Sequence, residues 1–227
     1  MTVRAVVFDF SGTLFRLEHE QAWFDGIHDE HGQPFDAEGR EALLRRMVAP
    51  VREDVDVPED VLDAWERRDL DPELHRKAYV GLLTRAGLTA EQAATFYGRL
   101  SDPLAWTPYP DAAEVLYRLH AQGTKTAVLS NIGYDIRPAF ANLGVLDQLD
   151  EVFMSYVEGL VKPDAQLFRR VCSRLGVAPS ETVMVGDSVE ADGGAAEVGC
   201  RVVIVDPLPV AERKEALITA LETAGVL

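Results

Sequence analysis

Between residues 111 and 205 the sequence switches repeatedly between two periods, and that alternation leaves few folds open. Short β-branched and apolar runs at 125–131, 151–155, 182–187 and 201–205 suit strands buried on both faces. The stretches between them carry helical spacing. One at 111–122 is closed by Gly123, one at 136–142 is stopped by Gly144, and one at 163–175 has Pro at its start and Gly176 after its end. A short Ala- and Gly-rich helix follows Asp187, and a last helix is predicted over 210–223. A fifth run, Arg4-Ala-Val-Val-Phe8, opens the chain and ends in Asp9. Strands alternating with helices predict a doubly wound α/β fold: a mostly parallel five-stranded sheet covered by helices on both faces.

The first strand is separated from its next partner by about a hundred residues, within the size of an inserted domain. That interval has no strong strand signal. Segments 37–47 and 58–68 have apolar residues at helical spacing with charge between them. Pro58-Glu59-Asp60 and Pro72-Glu73 read as helix first turns. Thr89 with Gln92 reads as a capping box. Prolines 103, 108 and 110 mark the return to the sheet. The expected organisation is therefore a core of residues 1–15 and 105–227 and a helical cap of residues 16–104. The competing arrangement lays these helices over one face of the sheet. An insertion just after a strand end stands where a lid can act.

The net charge of −16 argues against nucleic acid and anionic membrane surfaces as partners. An anionic substrate would need local positive charge or a metal ion. Cys172 and Cys200 form neither C-x-x-C nor a metal-ligand spacing, so two buried thiols in a reducing compartment are expected. No apolar run approaches membrane-span length and none resembles a signal peptide. The expected location is cytoplasmic.

Four stretches place polar groups just past predicted strands: Asp9-Phe10-Ser11-Gly12-Thr13, Ser130-Asn131, the loop with Lys162, and Gly186-Asp187 running on to Asp192. In open α/β sheets the ligand crevice lies beyond those carboxyl ends. Taken singly, each has a plain explanation. Asp9 can start a turn, Ser130 can end a strand, Lys162 can be a solvated lysine, and Asp187-Ser188 can cap a helix. Gly193-Gly194 form no phosphate loop. The four together are far more specific than any one.

In combination these motifs resemble the haloacid dehalogenase superfamily of hydrolases, in the subgroup with a helical cap inserted between the first and second motifs. The resemblance covers the whole chain and implies a Rossmann-type sheet. It makes Asp9 the nucleophile, Ser130 the hydroxyl that bonds the transferred phosphoryl group, and Lys162 the cation that screens both. Ser11, Gly12, Thr13 and Asn131 are expected at the substrate. Mg²⁺ is the implied cofactor, held by Asp9, the backbone carbonyl of Ser11 and Asp187, with Asp192 binding directly or through water. The physical reading agrees. A strand-end carboxylate can attack an electrophile, three converging carboxylates raise one another's pKa, and a hard divalent cation removes that penalty. The implied substrate is a small phosphorylated metabolite, and the implied assembly a monomer or homodimer.

Ser11 departs from the pattern. Phosphatases of this superfamily usually carry a second Asp there, which protonates the leaving group and then activates water. Serine cannot replace that acid near neutrality, and positioned acid–base catalysis is worth about 10²–10⁴-fold. Dehalogenases of the family also lack the second Asp, because halide leaves without a proton, so a 2-haloacid dehalogenase is the alternative expectation. Gly186-Asp187 keeps a metal-binding carboxylate and points back to a phosphatase. A third expectation is a degenerate member that binds a phosphorylated ligand with little turnover. Glu18, His19, His28 and His31 are candidate substitutes for the missing acid.

Overall fold

A computed structural model describes residues 2–18, 21–29, 31–48 and 57–227. The chain divides into two compact units, residues 1–18 with 106–227, and residues 19–105.

The strands are β1 (Ala5–Phe8), β2 (Phe15–Arg16), β3 (Thr107–Pro108), β4 (Lys125–Ser130), β5 (Glu151–Met154), β6 (Thr182–Gly186) and β7 (Arg201–Ile204). Helices α1 (Ala37–Val48), α2 (Glu59–Glu66), α3 (Pro72–Arg85) and α4 (Ala90–Leu100) belong to the second unit. The first unit holds α5 (Ala112–Ala121), α6 (Arg137–Leu143), α7 (Ser155–Glu158), α8 (Ala165–Leu175) and α9 (Ala216–Thr223).

The first unit is the doubly wound α/β fold. Its five-stranded sheet has the order β5-β4-β1-β6-β7, and every pairing in it is parallel. β1 lies at the centre. Ala5 is level with Lys125 and Thr182, and Phe8 with Val128 and Val185. Alternate side chains leave opposite faces of a strand, and both faces here are covered. Val6, Phe8, Val128 and Val185 pack with Leu116 and Leu119 of α5, Phe140 of α6 and Leu217 and Leu221 of α9. Ala5, Val7, Ala127, Leu129 and Met184 pack with Leu167, Phe168, Val171 and Leu175 of α8. This two-sided burial is why the strands read as unbroken apolar runs rather than as alternating patterns.

Three local features differ from the sequence expectation. β2 and β3 form a two-residue antiparallel ladder, too short to leave a periodic signal. The Ala- and Gly-rich segment after Asp187 is a 3₁₀-helix, Asp192–Val198, rather than an α-helix. The expected helix over 210–223 is broken in two: a 3₁₀ turn at Val210–Glu212, then α9. The break turns the Arg213 side chain inward, to 3% exposure. α9 then starts on a carboxylate supplied from the residue just before α5, since Asp111 Oδ2 accepts the Leu217 N–H at 2.8 Å and the Ile218 N–H at 3.2 Å.

The second unit is helical among its described residues, apart from the isolated bridge between His28 and Pro34. Asp71 caps α3 by accepting from Glu73 N and Leu74 N. Thr89 and Gln92 form the reciprocal capping box at α4, at 3.2 and 2.9 Å. Ala64, Ala78, Leu83, Ala93 and Phe96 are buried. Among the described residues no helix is long and apolar enough to cross a membrane.

Candidate active site

The residues singled out above lie at the carboxyl ends of neighbouring strands. Asp9 follows β1, Ser130 ends β4, Asp187 follows β6, and Lys162 lies in the loop between α7 and α8. β1 has β4 on one side and β6 on the other, so Asp9 stands where the strand order reverses. That is where α/β sheets open a crevice. Asp9 N–H still bonds Val185 O at 2.8 Å, which extends the ladder and fixes the carboxylate at the sheet's rim.

Lys162 is the hub. Its ammonium is 2.6 Å from Asp9 Oδ1 and 2.6 Å from Asp192 Oδ1, and all three side chains are almost fully buried. Burial opposes the charge on Lys162. The two carboxylates outweigh that penalty and hold its pKa above the usual lysine value. Burial pushes Asp9 up to about 6; Lys162 opposes the shift, while Asp192 and Asp187 add to it. Asp187 is half-buried and is raised by burial and by Asp192, against Lys162 and Arg213.

Asp9, Asp187 and Asp192 each present an oxygen within 4.8 Å of the others. This all-carboxylate set is the hard donor type that suits Mg²⁺. Asp192 is the most engaged of the three. Lys162 takes Oδ1, the Ser188 N–H donates to Oδ2 at 3.0 Å, and the side chain is fully enclosed. Gly186 is needed for that fit, because a Cβ there would overlap the Asp192 carboxylate.

The turn after Asp9 is built by its own backbone. Gly12 N–H donates to Phe15 O at 2.7 Å, and Leu14 and Phe15 N–H both donate to Phe10 O. Gly12 has φ +73, a left-handed conformation that favours glycine, and a Cβ there would meet the Asp187 carboxylate. Ser11 is exposed, whereas Thr13 is fully buried with its Oγ1 unbonded. Ser130 is 2% exposed at the end of β4.

The Asn131 amide bonds the Lys162 backbone: Nδ2 donates to Lys162 O at 2.9 Å, and Lys162 N–H donates to Oδ1 at 2.8 Å. The side chain thus ties the lysine loop to the end of β4. Glu18 accepts the Val210 N–H at 2.9 Å and lies 3.5 Å from Arg16, so its carboxylate serves that junction. The His28 backbone carbonyl accepts from Gln92, and the His31 N–H donates to Asp29. His19 lies outside the described residues.

Two buried polar side chains escaped the sequence reading. Ser155 Oγ accepts the Ile132 N–H at 2.9 Å and donates to Ile132 O at 3.2 Å, holding the loop that follows Ser130. Arg213 donates from Nη1 to Gly12 O at 2.5 Å and from Nη2 to Thr13 O, and its guanidinium carbon lies 3.3 Å from the Tyr109 ring centroid. In sequence Arg213 sits in the charged run Glu212-Arg213-Lys214-Glu215, which looks like any solvated surface.

Known proteins resemble this chain in sequence and in fold. The haloacid dehalogenase-like hydrolase family matches residues 3–199. The (S)-2-haloacid dehalogenase 4A of Burkholderia cepacia is 30% identical over 206 residues, 90% of this chain and 84% of that protein. The ribulose-1,5-bisphosphate 5-phosphatase of Halopiger xanaduensis is 38% identical over 109 residues, 47% of this chain and 46% of that protein, so the match spans about half of that relative. The solved L-2-haloacid dehalogenase of Xanthobacter autotrophicus superposes with a TM-score of 0.64 at 27% identity, covering 100% of this chain and 85% of that one. Relatives of both activities share the scaffold. With a family match across most of its length, a centred parallel sheet and acids at its rim, this chain belongs to the haloacid dehalogenase-like hydrolases.

Proposed function

We propose that this hydrolase is a Mg²⁺-dependent phosphatase acting on a small phosphorylated metabolite through an aspartyl-phosphate on Asp9. The observation that carries the reading is Asp187, a carboxylate packed on Gly12 within reach of Asp9 and Asp192. Asp9, Asp187 and the Ser11 backbone carbonyl would hold the cation, which would neutralise phosphoryl charge. Asp9 attacks phosphorus, the phosphorus–oxygen bond to the leaving group breaks, and its electron pair leaves with that oxygen. Water then cleaves the aspartyl-phosphate, releases phosphate and restores Asp9. Lys162 screens the nucleophile against the incoming anion, and Ser130 donates to the transferred group. We assign substrate choice to the inserted helical unit.

Ser11 sets the expected substrate preference. With no carboxylic acid at that position, leaving groups that need no proton go fastest, so acyl and aryl phosphates should outrun alkyl phosphates. The test is phosphate release from acetyl phosphate, 4-nitrophenyl phosphate and a set of sugar phosphates, with Mg²⁺ and with chelator. No metal-dependent release from any of them overturns the reading.

A second reading, 2-haloacid dehalogenation, has its own support. The match to the B. cepacia dehalogenase runs over 90% of this chain, and halide needs no acid at Ser11. Metal-independent halide release from 2-chloropropionate would establish it in place of the first.

A further inference from the structure

We propose that Arg213 is a positioning residue: from the far end of the sequence it holds the Gly12–Thr13 turn so that the Ser11 carbonyl and the Asp9 carboxylate keep their working orientation. The inference rests on the reading of Asp9 as nucleophile, and it holds for either leaving group.

Arg213 takes both carbonyls of the turn, Gly12 O at 2.5 Å and Thr13 O with its other terminal nitrogen. Two adjacent peptide planes are thus fixed by one rigid fork, which a lysine ammonium cannot reproduce. At Gly12 the place a Cβ would take is filled by the Asp187 carboxylate and by Pro207 of the segment that carries Arg213. The turn therefore packs on an acid of the site and on that segment.

That segment, residues 206–213, is stitched down along its length. Arg16 donates to Pro207 O, Tyr109 Oη donates to Leu208 O at 2.8 Å, and Val210 N–H donates to Glu18 at 2.9 Å. Tyr109 also underlies the guanidinium, and its own N–H donates to Leu14 O at 3.0 Å. All of these links end on the stretch that follows Asp9 or on its neighbour Tyr109.

The energetics argue for more than a passive tie. Arg213 is 3% exposed, makes no ion pair within 4.0 Å among the described residues, and leaves its Nε–H without a partner. The Gly12, Thr13 and Asp206 carbonyls and one ring hold it, while Asp111 and Asp187 compensate its charge only at longer range; a buried cation with no direct ion pair is costly. A neutral donor could bond one of the carbonyls at lower cost. What only the guanidinium supplies is the simultaneous orientation of two peptide planes beside the reacting carboxylate, where a misplacement of about 1 Å can cost about 10²-fold in rate.

Arg213→Lys and Arg213→Gln in the full chain test this. Four readouts apply: thermal unfolding, kcat and KM on the best of the probe substrates above, Mg²⁺ affinity by calorimetry without substrate, and the carbonyl ¹³C shifts of Gly12 and Thr13. The expected result is folded variants whose kcat falls about 10- to 100-fold with KM within about threefold. Both carbonyl resonances should move, and methylguanidinium should restore rate to Arg213→Ala where methylammonium does not. Folded variants with unchanged kcat and unmoved carbonyl shifts would overturn the inference, as would a loss of melting temperature with full activity per folded molecule. If the parent turns over no probe, the proposed function fails. The shift and calorimetry arms then still decide the role of Arg213.

Discussion

Lys162 and Asp192 form a 2.6 Å ion pair in which the carboxylate is fully buried and the lysine side chain is 3% exposed. The same ammonium reaches Asp9 at the same distance. One cation thus links the acid at the end of β1 to an acid just past β6, and it sets the energetics of the whole rim.

Removing that cation should be more damaging than removing one acid. Lys162→Met leaves Asp9 and Asp192 buried without their counter-charge, and breaking a buried pair costs about 3–5 kcal/mol. Urea unfolding measures it. A loss below about 1 kcal/mol would show that water or an ion already compensates both acids. Asp192→Asn should cost less, because Lys162 keeps Asp9.

Asp9 should titrate near pH 6 in metal-free protein, well above the ordinary carboxylate value of about 3.9, with burial the main cause. A folded-state pKa raised in this way favours the protonated form. The contribution is stabilising below about pH 4 and is lost as the pH rises through about 6. Mg²⁺ bound at Asp9 must pull the midpoint down. An NMR titration of the Asp9 carboxyl carbon with and without Mg²⁺ measures both shifts, and a midpoint indifferent to Mg²⁺ removes Asp9 from the ligand set.

Ser11→Asp should restore an acid where leaving-group oxygen develops charge. The expected gain is about 10²-fold on alkyl phosphates and much less on acyl phosphates, because only the former leave as strong bases. Parallel kcat/KM measurements on both classes decide it. Equal acceleration would mean that the new carboxylate acts through the metal or the fold.

Gly12→Ala adds a Cβ at φ +73, a conformation costing an L-residue about 1–2 kcal/mol, and drives it into the Asp187 carboxylate. Loss of stability by at least that much is expected, together with a higher Mg²⁺ requirement. An alanine variant with normal melting and normal metal dependence would mean that Asp187 rotates away freely.

In the helical unit, His75 is 4% exposed, with Nδ1 2.9 Å from Tyr97 Oη. Burial, helped by Arg68, pushes its pKa down to about 4, against about 6.5 unfolded. The unfolded state then binds the extra proton first. Stability is full above about pH 6.5 and falls as the pH drops toward 4, by up to about 3 kcal/mol. His75→Gln should flatten the melting temperature over that window; an unchanged slope assigns it to other groups.

Much of the architecture was legible because it is written in local patterns. The unbroken apolar runs of β1, β4 and β6 report burial on both faces. Gly144 and Gly176 stop α6 and α8, and Thr89 with Gln92 starts α4. Polar residues just past three strands pointed to one rim, because a parallel sheet puts all its carboxyl ends on the same side. What stayed hidden has no local signature. Asn131 faces a backbone 31 positions away, Asp111 caps a helix 106 positions away, and Arg213 grips carbonyls 201 and 200 positions away.

By itself, then, the sequence determined the fold class, the family resemblance and the acids at the sheet's rim, since hydrophobic period and strand-end chemistry act over a few residues. Only the tertiary structure decided which of those side chains point at one another. It tied the Asn131 amide to the Lys162 backbone, spent both oxygens of Asp192, and drew Arg213 out of a charged run to the carbonyls of the turn beside Asp9. The physical reason is that a buried hydrogen-bonding group must find a partner wherever the fold supplies one, and the choice is made by packing in space rather than by distance along the chain.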